Sequence, residues 1–178
     1  EPPMPTPSGN SSVTKTSRNS LADSDISPNM QISKHFKLRD FMAGHSLSEV
    51  QSQNGISRSD IINNLQALAV NCLDPIYEKI GPFTVSSWFR SIAFNRTLIK
   101  SNGASKTSQH MYGEACDLRF SDVTSKADGM KKVQAIMNLG IPYHQILLEH
   151  KNSWWIHIGL KSMPSRGANK HEFKIIML

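Results

Sequence analysis

Two β-rich runs, His144–Glu149 and Trp154–Leu160, lie so close along the chain that only a tight turn fits between them. Strands joined by so short a connection pair antiparallel, which commits this part of the chain to a β-hairpin. The turn sets the register, and a slip of one residue moves every side chain to the opposite face. A two-residue turn at Lys151-Asn152 pairs Glu149 with Trp154 and points its carboxylate away from His157. A three-residue loop, Lys151-Asn152-Ser153, pairs Glu149 with Trp155 instead and puts Glu149 on the face of His157, one diagonal away. The second register is the predicted one.

Upstream of the hairpin the pattern is helical. From Arg58 to Ile80 the apolar positions Ile61, Ile62, Leu65, Leu68, Ala69, Cys72, Leu73, Ile76 and Ile80 recur at helical spacing. Ser57 or Ser59 can cap the start, Gly81-Pro82 stops the run, and Pro75 should kink or split it. A short strand at Phe83–Ser87 and helices over Ile92–Lys100 and Lys126–Leu139 follow, with a last strand near Phe173–Met177. Helices first and strands afterwards predict an α+β domain with a small, mostly antiparallel sheet and helices packed on it.

Length and composition bound the rest. A chain of 178 residues suits one well-buried domain. The first 30 residues contain no aromatic residue and five of the nine prolines, too little apolar surface to offset the entropy of ordering. Residues 1–31 are therefore expected to be a flexible Pro/Ser-rich arm or linker, with a packed domain over 32–178. No internal repeat is visible. No run approaches the roughly 18 apolar residues of a membrane helix, so no membrane span is expected. The start at Glu1 lacks a charged-then-apolar leader, so a signal peptide is expected to be absent or removed.

The net charge of +6 suits an anionic partner such as nucleic acid, a membrane surface or wall polymers, and selects none of them. The basic cluster Lys161, Arg166, Lys170, His171 and Lys174 comes without a base-stacking motif and reads as solvated surface, not a nucleic-acid site. Cys72 and Cys116 sit inside apolar patterns and read as buried small hydrophobes.

The chemistry concentrates in Ser105–Phe120. His110 and Asp117 are seven residues apart, which on one helix separates them by roughly 10 Å, too far to share a metal. Gly113 breaks a helix in any case, so a loop carrying His110 can fold back over a strand carrying Asp117. In that strand Ala115, Asp117 and Arg119 share one face and Cys116, Leu118 and Phe120 the other. With the predicted hairpin register, Glu149 then lies a few ångströms from a metal held by His110, Asp117 and His157. A carboxylate so placed is suited to take a proton from an activated water and return it to a leaving amine.

These residues form a familiar series. Ser108-x-His110-x-x-Gly113-x-Ala115-x-Asp117, followed by Trp155-x-His157-x-Gly159, resembles the zinc D-Ala-D-Ala carboxypeptidases and related peptidoglycan peptidases of the M15 family. Phe36–Phe41 resembles an upstream motif of the family, Ser86–Ser91 its strand-end motif with a substrate-contacting arginine, and His144–Glu149 the corresponding strand of its bacteriophage and bacterial branch. Asn95 and the Gly103-Ala-Ser105 run also fall where that family has similar residues, and the likeness spans roughly Ile32 to Ile176.

The resemblance implies an M15/hedgehog-like zinc peptidase fold and one Zn²⁺ per chain, with His110, Asp117 and His157 as ligands. It implies Glu149 as general base and acid, and Arg90 binding the substrate carboxylate or polarising the scissile carbonyl. Ser105 and Ser108 would bond substrate or support the ligands. Bacterial peptidoglycan is the implied substrate, cut at a D-amino-acid-containing bond by a carboxypeptidase or an endopeptidase. The branch implies a phage lysin or tail-associated virion enzyme acting in the periplasm or cell wall, whose arm would meet other tail or baseplate proteins; a bacterial periplasmic or extracellular enzyme is the other setting. Some branches carry the catalytic carboxylate three residues before the last histidine. Here that position is Trp154, so a non-catalytic zinc-binding assembly domain of a virion is the alternative reading.

Overall fold

The computed structural model of the chain describes residues 3–5, 17–102 and 104–178. Helix α1 (Arg58–Leu68) starts at a reciprocal cap: Ser57 Oγ accepts from the Asp60 amide at 3.0 Å, and the Asp60 carboxylate accepts from the Ser57 amide at 3.2 Å. The predicted helical run continues to Lys79 in three pieces. A widened π-type turn over Ala69–Leu73 joins α1 to α2 (Asp74–Lys79), with Pro75 in the first turn of α2. Proline lacks an N–H and its ring crowds the carbonyl four residues earlier; the wide turn makes room, and the helix is split there. Ile61, Ile62, Leu65, Leu68, Cys72, Leu73 and Ile76 are all fully buried.

The remaining elements are β1 (Thr84–Ser87), α3 (Ile92–Asn102), β2 (Ala115–Arg119), α4 (Lys126–Met137), β3 (Gln145–Lys151), β4 (Ser153–Gly159) and β5 (Glu172–Met177). The strands form one sheet in the order β1-β2-β4-β3-β5. Three of its pairings are antiparallel, and β5 lies parallel to β3 at the edge. The fold is therefore α+β, as expected, with a mixed sheet. The parallel edge arises because the connection after β4 passes over β3 and lands β5 on its far side. Gly129 lets α4 approach the sheet: a Cβ there would lie 2.5 Å from Leu148 Cδ1.

The hairpin adopts the predicted register. Glu149 pairs with Trp155, and Lys151 with Ser153, while Asn152 at the tip takes the left-handed conformation (φ 63°) that asparagine tolerates. This register divides the sheet. Cys116, Leu118, Ile146, Leu148, Ile156 and Ile158 face the helices and are fully buried. Ala115, Asp117, Leu147, Glu149, Trp155 and His157 occupy the opposite face.

Packing begins ahead of the boundary expected at residue 32. Arg18 donates to Ser162 Oγ at 3.0 Å and to the Asp60 carboxylate at 3.3 Å, the Leu21 amide donates to Ser59 Oγ, and Ile26 is buried. Residues 18–23 thus dock on α1 through polar contacts, which apolar periodicity does not reveal. Of the rest of the expected arm, residues 1, 2 and 6–16 lie outside the described residues. Both cysteines are free and buried, and burial pushes both thiols up, in keeping with small core hydrophobes. Among the described residues no helix is long and apolar enough to cross a membrane.

Candidate metal centre and active-site cleft

Ser108 opens the turn that carries His110: its Oγ accepts from the His110 amide at 3.2 Å at the head of the 3₁₀ turn Gln109–Tyr112. Gly113 ends that turn at φ 68° against α1, where a Cβ would lie 2.8 Å from Ile61 Cγ2 and 2.9 Å from the Ile61 carbonyl oxygen. Only glycine fits there, and the chain reverses directly into β2. Asp117 on β2 pairs with His157 on β4, and the turn folds His110 back over both.

Three donor atoms converge. His110 Nε2 lies 3.2 Å from Asp117 Oδ1 and 3.2 Å from His157 Nδ1, and His157 Nδ1 lies 3.3 Å from Asp117 Oδ1. The three residues are only 2%, 5% and 5% exposed. His110 Nδ1 sits 2.6 Å from the Trp88 carbonyl, which can only accept, so Nδ1 carries the proton. Burial lowers the His110 imidazole pKa, and Arg90 and His157 add to this against the pull of Asp117, leaving Nε2 as a bare lone pair. One proton on His157 could satisfy a single edge of this triangle; a cation at its centre satisfies all three. A tetrahedral zinc with bonds of about 2.0–2.1 Å holds its ligands about 3.3–3.4 Å apart, which the observed edges match. The donor set therefore fits zinc as the resemblance implies, with His157 presenting Nδ1 to the other two donors.

Glu149 and Arg90 flank the triangle. Glu149 Oε1 lies 4.0 Å from His157 Nδ1 and accepts from Trp155 Nε1 at 3.3 Å. Burial raises its pKa, and the Asp117 carboxylate adds to the rise, while His157, the Trp155 bond and Arg90 pull the other way; the net direction is up. Asp117 moves oppositely. Burial would raise it, but the two imidazoles hold it well below the usual carboxylate range. Arg90 Nη2 donates to Asp117 Oδ2 at 3.3 Å and its Nε to Ser87 Oγ at 3.2 Å, leaving Asp117 Oδ1 to the triangle.

All of these groups line one open cleft of about 850 Å³, together with Ser105, Ser108 and Trp155. Ser105 Oγ accepts from the Thr107 amide, and its carbonyl accepts from Asn95. Gly103 lies outside the described residues. Trp155 forms part of the wall, its ring under the Arg119 guanidinium at 4.8 Å, whereas Trp88 is core and Trp154 meets the His150 ring at a tilt, 4.5 Å between centres. His144 lies at the cleft margin and not among the donors.

Some residues at the site are not among those the sequence pattern singled out. Gln53 donates to the carbonyls of Arg90 and Met111 and accepts from the Ile92 amide, tying the Arg90 segment to the His110 turn. Glu114 is fully buried and pairs with Arg166 at 3.0 and 3.2 Å, so Arg166 is a fixed cleft residue and not the solvated cation expected. The alternation of β2 offered a clue: Glu114 has the parity of Cys116 and Leu118, and a charge on the core side demands a partner.

Three protein donors on an open cleft are the pattern of catalytic zinc, since structural zinc closes all four positions with protein. The arrangement matches that of a metal-dependent hydrolase, with a carboxylate and an arginine at hand. The chain belongs to the peptidase M15 family, whose model matches residues 35–159, and is a metallopeptidase. No curated protein matches it.

Proposed function

We propose that this metallopeptidase cleaves bacterial peptidoglycan at a peptide bond that includes a D-amino acid. The observation that carries the reading is Glu149, partly buried in the cleft on the face of the metal ligands and 4.0 Å from His157. Bound zinc would supply an activated water and polarise the scissile carbonyl. Glu149 takes the proton of the attacking water on its carboxylate and returns it to the leaving amine; its raised pKa suits both halves of that task. Trp155 steers the accepting oxygen through its Nε1–H. Arg90, braced by Ser87 and Asp117, presents a permanent charge to the substrate carbonyl or carboxylate. Cations along the cleft, Arg119 and Lys161 among them, suit an acidic stem peptide.

This carboxylate stands on β3 beside the last histidine's strand and occupies the same cleft, which supports an enzyme over an assembly domain. The test is digestion of purified peptidoglycan with mass spectrometry of the products. New termini at a D-amino acid that vanish with chelator and return with zinc are expected. Zinc-loaded protein that releases no product from any peptidoglycan would overturn the reading.

A further inference from the structure

Beyond the metal centre the cleft has a second built feature at Arg166. Its guanidinium is held on two sides. Nε donates to Glu114 Oε2 at 3.2 Å and Nη2 to Glu114 Oε1 at 3.0 Å, while its Cζ lies over the Tyr112 ring, 3.5 Å from the ring centre. Glu114 is 0% exposed and also accepts from Gln109 Nε2, so the brace reaches the turn that carries His110. A buried ion pair gives little net stability compared with apolar packing, and its better-attested use is to fix a position.

Arg166 has five N–H donors, and the two toward Glu114 leave three without a partner among the described residues. They belong to a side chain 24% exposed that lines the cleft. The surroundings are positive. Lys161 lies on the same wall, and after burial it is the Lys161 ammonium that most lowers the His144 imidazole, with Lys170 adding to it. Glu172, the acid that opposes them, is tied to Gln145 at 2.7 Å. Arg166 lies beyond the residues the family model matches, whereas Glu114 and Tyr112, which brace it, lie within them.

We propose that Arg166, braced by Glu114 and Tyr112 and supported by Lys161, is a carboxylate-binding subsite that selects peptides bearing an acidic group beside the scissile bond. The guanidinium's planar fork meets a carboxylate through two N–H bonds, and the brace removes the entropy of ordering it on binding. The proposal rests on the peptidase reading above and adds to it which substrates are preferred.

The test uses zinc-loaded protein and synthetic stem peptides in which each carboxylate is amidated in turn. For wild type, one amidation is expected to raise KM about tenfold or more, the size of a charge-assisted bond lost. Arg166→Gln alone strands the buried Glu114 charge and can unfold the wall. The double variant Glu114→Gln/Arg166→Gln leaves no buried charge unpaired, and its acid-to-amide KM ratio is expected to fall below about twofold. Arg166→Lys, with charge but no fork, is expected to lie between. A double variant with the wild-type ratio, or a wild type indifferent to every amidation, would overturn the subsite and leave Arg166 a structural strut. If wild type binds zinc but cleaves no peptide, the peptidase reading fails while the subsite is still decided. Tryptophan-fluorescence titration of the same peptides must then show an acid preference that the double variant loses; equal affinities overturn it.

Discussion

On β4, Ile156 and Ile158 point into the apolar layer under α4, while Trp155 and His157, one residue away, point into the cleft. The two faces of the sheet are made from alternate residues of the same strands and serve opposite ends. The helix-facing side buries Cys116, Leu118, Ile146, Leu148, Ile156 and Ile158, none of which carries a charge. The cleft side buries two imidazoles, two carboxylates and a guanidinium within a few ångströms of one another. The first arrangement stabilises the fold; the second costs stability and is held in place by the first.

Glu149→Gln is expected to break the comparison most sharply. The substitution is nearly isosteric and removes the proton carrier, so kcat should fall about 10²–10⁴-fold with zinc retained. In wild type, activity should fall as pH drops through a Glu149 pKa above the ordinary carboxylate value of about 4.3, because the base is then protonated; a pH–rate profile reads this limb. The same shift has a stability consequence. A carboxylate whose pKa is raised by folding destabilises the folded state once it ionises, so zinc-free Glu149→Gln should melt at or above the wild-type temperature at neutral pH.

Ile156→Ala tests the other face. Removing a fully buried side chain should cost about 2–5 kcal/mol of stability, read by denaturant unfolding. At a temperature where the variant is folded, kcat/KM should stay within about threefold of wild type, because its neighbours in the cleft, Trp155 and His157, keep their strand pairing. A comparable loss of catalysis would show that the faces are not separable.

The hairpin register was legible because strand alternation has a period of two: one turn length places Glu149 beside His157 and the other does not. The same alternation exposed Asp117, and the helical spacing from Arg58 exposed the core helix. What stayed hidden involved single long-range polar contacts without a period. Gln53 reaches two carbonyls from a loop, Glu114 meets Arg166 across 52 positions, and Arg18 reaches Asp60 and Ser162. The parallel edge strand was hidden for a related reason, since composition does not say on which side of β3 a strand after a long connection will land.

The smallest expected effect concerns the docked segment. Burial raises the Asp60 pKa, but the Ser57 and Arg18 hydrogen bonds outweigh it and the net shift is downward. A depressed carboxylate contributes stability that is present above its unfolded value of about 3.9 and is lost as pH falls through the lower folded value. Asp60→Asn should therefore lower the melting temperature slightly near neutral pH, with the difference from wild type shrinking below about pH 4. A difference that grows on acidification would contradict the assignment.

Zinc titration of the metal-free protein by calorimetry, with melting temperature followed in parallel, tests the convergence of His110, Asp117 and His157 most directly. One zinc per chain is expected, with a melting temperature that climbs with free zinc, and both effects should be lost in His110→Ala and His157→Ala. Absence of stoichiometric zinc in wild type, or one zinc bound equally tightly by both variants, would contradict the account.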